Sequence, residues 1–94
     1  TGFEPFGGSY INSSWETAYQ IGQLTINGVD MEVAQLPVSF VSSGKLIRKL
    51  LQTHKPDALV MLGQRGKGQK IDIERLAVNM MDSANPDNDG FFLL

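Results

Sequence analysis

Residues 63 to 79 read GQRGKGQKIDIERLAVN, a glycine-rich loop that follows an apolar run and leads to a carboxylate, Glu74, on a short amphipathic stretch. Taken alone, Glu74 reads as a solvated carboxylate at a helix start, where negative charge is favoured by the peptide dipoles. The loop itself, with Arg65, Lys67 and Lys70, has the composition of a phosphate cradle, but no Ser or Thr follows Gly66-Lys67 at phosphate-loop spacing. The chain holds no Cys and a single His, His54, so a thiol nucleophile and thiolate metal ligands are both absent from it. His54 precedes the apolar run Ala58 to Leu62, whereas the glycine loop follows it. Five extended residues separate the two ends by roughly 17 Å at ~3.3 Å per residue. His54 therefore reads as a surface residue at a helix end. Asp82, Asp87 and Asp89 fit no calcium-loop spacing and read as polar turn residues. Asn12-Ser13-Ser14 matches a glycosylation sequon, but a polar helix start explains it as well.

These residues need elements to position them, and the chain supplies an α/β order. Thr1 to Phe3 is too short to count as a strand, and Glu4-Pro5-Phe6-Gly7-Gly8 reads as a strand-to-helix connection, with chain expected before Thr1. From about Ser14 to Leu24, Trp15, Ala18, Tyr19, Ile21 and Leu24 mostly suit one helical face, capped by Ser13 or Ser14. Asn27-Gly28 marks a turn. Met31 to Leu36 reads as a strand that Pro37 ends, and Ser42 or Ser43 is placed to cap a second helix running to about Thr53. Ala58 to Leu62 reads as a third strand, buried on both faces in a parallel sheet. In such sheets ligands bind beyond the carboxyl ends of the strands. The loops after Phe3, Leu36 and Leu62 then open on one edge, which gathers Phe3, Phe6, Asn12, Val38, Phe40, Gln64 and Glu74. Aromatic rings, a neutral amide and a carboxylate around one pocket suit a small, flat, uncharged ligand.

Composition sets the outer limits. A chain of 94 residues makes at most one small domain, with no linker or repeat to divide it. Its formal net charge of −2 supplies no basic field for a nucleic-acid backbone. No apolar run approaches the ~20 residues of a membrane-spanning helix, and the absence of Cys favours a reducing compartment, so the expected location is the cytoplasm. Neither a nucleic acid nor a membrane is an expected partner.

Four ordered stretches carry a resemblance to a known family: TGFEPFGG with Asn12 and Trp15 after it, LPVSF at 36 to 40, KPDALVMLGQRG at 55 to 66 with IERLAVN at 73 to 79, and PDNDG at 86 to 90. Over essentially its whole length the chain resembles the pyroglutamyl-peptidase I, or pyrrolidone-carboxylate peptidase, family. The resemblance implies a three-layer α/β/α sandwich with a mostly parallel sheet, phosphorylase/hydrolase-like and here truncated, with residues 1–94 as the N-terminal half of one domain. It implies a cofactor-free cysteine peptidase that removes an N-terminal pyroglutamyl residue from peptides with a Cys-His-Glu triad, and a family-like homo-oligomer for the full chain. Carried over by position, Glu74 is the triad carboxylate, Phe3 and Phe6 are the walls of the pyrrolidone pocket, and Asn12, Val38 and Gln64 line it.

Family members continue well past residue 94, and their Cys and His lie in that second half. The chain is accordingly expected to be inactive alone, with a non-catalytic ligand-binding or interaction fragment as the alternative. It departs from the family pattern at Asp72, where Ser or Thr is usual, at Val38, where Thr is common, and at Ala84, where bacterial members often carry Arg. Phe91-Phe92-Leu93-Leu94 replaces a polar continuation.

Overall fold

Strand β1 (Gly2–Phe3) lies parallel to β2 (Gln35–Leu36), with Gly2 opposite Gln35 and Phe3 opposite Leu36. Helix α1 (Ser13–Gly22) connects them, and α2 (Phe40–His54) follows β2. The computed structural model describes residues 1–92.

Successive strand residues face opposite sides of a sheet, and this puts the two helices on different faces. A Cβ on Gly2 would lie 2.5 Å from the Ser14 carbonyl oxygen, so α1 sits tight against the Gly2 side. Only glycine permits that approach. Phe3 and Leu36, on the other side, face Ser43, Gly44 and Ile47 of α2. Helix, parallel sheet and helix form three layers, as the family resemblance implied.

Thr1 to Phe3 does contain a strand, contrary to expectation, because β2 provides hydrogen bonds that no local pattern reveals. The Gly2 amide donates to the Ala34 carbonyl at 3.2 Å and the Glu4 amide to the Leu36 carbonyl at 2.9 Å. Conversely, the expected strand from Met31 shrinks to Gln35–Leu36. Its length is set by the short partner it pairs with.

Both helix starts differ from the expected caps. Asn12, in extended backbone, caps α1 through Oδ1, which accepts the Ser14 amide at 3.0 Å and the Ser14 hydroxyl at 2.7 Å. The Ser14 oxygen in turn accepts the Phe3 amide at 2.9 Å, tying β1 to the first turn of α1. Ser39, rather than Ser42 or Ser43, caps α2, its hydroxyl accepting the Ser42 amide at 3.0 Å. The cap falls at the residue whose backbone is still extended, just past the end of β2, and helix begins as soon as the chain leaves the sheet. At the other end, Lys55 takes φ of 46° and donates its amide to the Leu51 carbonyl, and Pro56 prevents continuation. His54 is the last helical residue, as expected.

Ala58 to Leu62 is not the doubly buried strand expected of it. The Thr1 amine donates to the Val60 carbonyl at 2.7 Å, and the Leu62 amide donates to the Thr1 carbonyl at 3.0 Å. Those two bonds have the spacing of a parallel ladder but extend over one residue, beside β1 on the edge opposite β2. Val60 and Met61 remain 68% and 65% exposed, since no described element covers them. An apolar run signals a capacity for burial; a covering surface has to realise it. Residues 71 to 79, including Glu74, likewise form no helix and are exposed.

Among the described residues only Ala18 and Leu36 are buried apolar side chains, accompanied by the polar Asn12, Ser14 and Ser39. The helix caps are thus as deep as the hydrophobic core. No helix of the described residues is long and apolar enough to cross a membrane.

Candidate functional site

The carboxyl ends of β1 and β2 release two loops, and a third segment, residues 85–91, folds back against them. Between them lies a cavity of about 200 Å³ lined by Phe3, Val38, Ser39, Phe40, Ser43 and Asp87. A second space of about 300 Å³ lies between the sheet and α2, walled by Phe3, Leu36, Ile47, Met61 and Leu62. That one, bordered also by Ser43, Gly44 and Gly63, is a gap between layers. The first combines aromatic walls with a carboxylate and lies where open parallel sheets hold their ligands.

The residues singled out in the sequence divide into three groups. Phe3 and Val38, with Phe40, share the first cavity. Asn12 and Gln64 meet at the start of α1: the Asn12 side chain donates to the Glu4 carbonyl at 3.0 Å while capping the helix, and Gln64 Oε1 accepts the Ser13 amide at 2.7 Å. Gln64 thereby joins the loop after Leu62 to the loop after Phe3. Phe6 is exposed at the start of the Phe6–Ser9 turn and lines neither cavity. Glu74 is exposed and makes no hydrogen bond or ion pair among the described residues. In the glycine loop, Arg65 pairs with Asp72 at 2.6 Å on the surface, an arrangement that contributes little stability. Among the described residues no three His, Asp or Glu side chains gather as a metal site.

Sequence reasoning missed three residues that organise this region. Glu4 Oε1 accepts the Val38 amide at 2.9 Å and the Asn88 side-chain amide at 3.0 Å. Asn88 also donates to the Pro5 carbonyl at 2.9 Å, and its own amide donates to the Val38 carbonyl at 2.8 Å. Asp87 Oδ2 accepts the Phe40 amide at 2.8 Å, which places a negative charge at the start of a helix whose first turn has no acid. Its Oδ1 accepts the amides of Asp89 and Phe91 at 3.0 and 2.8 Å, and Gly90, at φ of 80°, closes the turn. The Phe91 ring meets Phe40 edge-on at 6.1 Å between centroids; Leu93 and Leu94 of the apolar tail lie outside the described residues. The Phe40 amide, chiefly, holds the Asp87 carboxyl below its ordinary value near 3.8, partial burial opposes it, and the Phe91 and Asp89 amides add to it. The Asp-Asn-Asp-Gly run announced a turn. Nothing in it announced which distant backbone the turn would grip.

Three stretches that carried the family resemblance, TGFEPFGG, LPVSF and PDNDG, therefore meet at one place. Comparison with known proteins agrees with that resemblance. The family model for pyroglutamyl peptidase matches residues 1–94. The pyrrolidone-carboxylate peptidase of Thermococcus kodakarensis is 44% identical over 91 residues, covering 97% of this chain and 44% of that protein. That of Gloeobacter violaceus is 41% identical over 90 residues, covering 96% and 44%. Among solved structures, the pyrrolidone carboxyl peptidase of Fervidobacterium islandicum AW-1 is similar at a TM-score of 0.93 and 35% identity, covering 98% of this chain and 44% of that one. Pyroglutamyl peptidase I of Bacillus amyloliquefaciens gives 0.92 and 32%, covering 99% and 44%. The chain spans less than half the length of the relatives it matches. With a matching family model along its whole length and the same fold, this chain belongs to the pyroglutamyl peptidase family.

Proposed function

We propose that these 94 residues supply the lactam-binding wall of a cytoplasmic cysteine peptidase that hydrolyses the bond after an N-terminal pyroglutamyl residue. The observation that carries this reading is the cavity where Phe3, Val38 and Phe40 meet at the carboxyl end of the parallel strands. Apolar and aromatic walls accept a neutral lactam, whereas a free glutamyl side chain would bring a carboxylate beside Asp87, whose burial without a cationic partner costs several kcal/mol. Asn12 and Gln64, proposed as further contacts to the lactam, are held at the start of α1 by bonds to the Glu4 carbonyl and the Ser13 amide.

In the complete reaction a thiolate attacks the pyroglutamyl carbonyl and the amine leaves with a proton from imidazole. Water then releases pyroglutamate from the thioester, and a carboxylate keeps the imidazole in the useful tautomer. Glu74 is the residue proposed for that last role. The 94 residues contain no Cys, and their one His closes α2. The isolated chain is therefore expected to bind but not to turn over. Titration with pyroglutamyl amide, followed by amide chemical shifts of Phe3 and Val38, should show saturable binding, with glutamyl amide binding at least tenfold more weakly. Equal shifts with both ligands would remove the lactam reading. Release of product from a pyroglutamyl anilide at rates typical of enzymes would refute the proposed roles of the missing groups.

A second reading, an interaction fragment, is favoured by the exposure of Val60, Met61, Ile71, Ile73, Leu76 and Val78 on a run without regular structure. Apolar exposure on that scale marks a surface for association. Sedimentation that stays monomeric across a hundredfold range of concentration would count against it.

A further inference from the structure

We propose that Glu4 and Asn88 are positioning residues for the lactam pocket, fixing the Val38 peptide that forms its wall between β2 and α2. This inference rests on the lactam reading, but its central contact is independent of any ligand. Val38 follows Pro37, which ends the strand, so its amide and carbonyl have left the β1–β2 ladder before α2 begins. Both groups are nevertheless satisfied: the amide by Glu4 Oε1 and the carbonyl by the Asn88 amide. The Asn88 side chain then closes the circuit by donating to the same Glu4 oxygen and to the Pro5 carbonyl. One carboxylate oxygen thus joins the segment after β1, the segment after β2 and the turn at 87–91, which are 34 and 84 residues from Glu4 in the two bonds it accepts.

Asp87 performs a parallel but separate task two residues further along the wall, holding the Phe40 amide. The two acids therefore divide the wall between them. Glu4 governs Val38 and Asp87 governs Phe40, and Phe3 packs behind both in the same cavity. Without the Glu4 oxygen and the Asn88 amide, the Val38 peptide would turn toward water for its partners, and the pocket would lose a fixed side; the Asn88 side chain holds that oxygen in place.

The chemistry of the contact makes the proposal specific. Asn88 acts as a donor toward an acceptor-only carboxylate. Glu4→Gln keeps an acceptor oxygen in place, whereas Glu4→Leu removes it. Asn88→Ala removes the donor, and the nearly isosteric Asn88→Asp replaces it with a like charge facing Glu4, which like-charge repulsion disfavours. A merely space-filling role would rank Asn88→Asp above Asn88→Ala; positioning through this hydrogen bond gives the opposite order.

The test uses the 94-residue chain, these four variants and Asp87→Ala, with hydrogen exchange at the Val38 and Phe40 amides, affinity for pyroglutamyl amide, and the thermal midpoint. Glu4→Leu and Asn88→Asp should each weaken binding about tenfold, comparable to losing a hydrogen bond to a charged group. Glu4→Gln should stay within about twofold, on the scale of a retained hydrogen bond. Protection of the Val38 amide should fall in Glu4→Leu while that of Phe40 is kept, and Asp87→Ala should give the reverse pattern. Affinity that follows the thermal midpoint regardless of which contact is removed, or tighter binding by Asn88→Asp than by Asn88→Ala, overturns the proposal. If the unaltered chain binds no pyroglutamyl amide, the lactam reading fails by itself. The positioning claim is then decided by exchange alone, upheld by selective loss at Val38 in Glu4→Leu and overturned by equal protection in Glu4→Leu and Glu4→Gln.

Discussion

Residues 1–54 contain both strands and both helices, whereas residues 55–92 contain only turns and irregular backbone. The first region closes its hydrogen bonds on itself: β1 on β2, Asn12 on Ser14, Ser14 on Phe3, Ser39 on Ser42. The second is attached at three places, through Thr1 with Val60 and Leu62, through Gln64 with Ser13, and through the 87–91 turn with Glu4, Val38 and Phe40. Between the last two attachments, Ile71 and Ile73 face solvent. Apolar residues do not create a core by being apolar; they need opposing surface, and even in the first region only Ala18 of α1 and Leu36 of β2 find enough of it.

This contrast predicts a graded response to substitution. The largest effect should come from Leu36→Ala, which empties the best-buried apolar position of the first region. Urea denaturation should show a loss of about 2–5 kcal/mol, the range for buried leucine truncation; a loss under ~1 kcal/mol would mean that the core lies elsewhere. Asn12→Ala should follow with about 0.5–2 kcal/mol, because it strips the cap of α1 and the link to the Glu4 carbonyl together. A milder effect should appear at the junction of the two regions on acidification. The Asp87 carboxyl titrates lower in the folded chain than its ordinary value near 3.8, so its contribution is complete above that value and disappears as pH falls through the folded value. Protection of the Phe40 amide, measured against its intrinsic exchange rate, should fall below about pH 3.8, and that fall should vanish in Asp87→Asn. The smallest change should come from Ile71→Ser, within about 0.5 kcal/mol, as for exposed positions generally. A large destabilisation there would show the second region to be packed in solution, and the contrast between the regions would collapse.

Local signals located the helices and turns well. Trp15, Ala18 and Ile21 marked α1, the stretch from Ser42 or Ser43 to about Thr53 marked α2, and Asn27-Gly28 falls at the turn bridged by Ile26 and Val29. The caps were misplaced by one to four residues, because runs of Ser and Asn offer several capable side chains and tertiary context selects among them: the Glu4 carbonyl that receives Asn12, and the exit from β2 that leaves Ser39 extended. Of the pocket, Phe3 and Val38 were accessible through the rule that sites lie past strand ends and through the family motifs. Glu4 and Asp87 were not, since each acts on an amide 34 or 47 residues away and neither has an unusual neighbour in sequence.

The amino-acid order settled what depends on bonds within a few residues: helix positions, the glycine turns, the proline stops and the motifs that mark a pyroglutamyl peptidase. Tertiary structure decided what depends on a partner far along the chain. It made a strand of two residues at Gly2–Phe3, left Ala58 to Leu62 uncovered, and turned a plain acid and a plain turn into the frame around Val38. Helical hydrogen bonds close over four residues and are encoded where they form. A sheet edge, a buried face or a carboxylate's partner exists only when a second segment arrives to complete it.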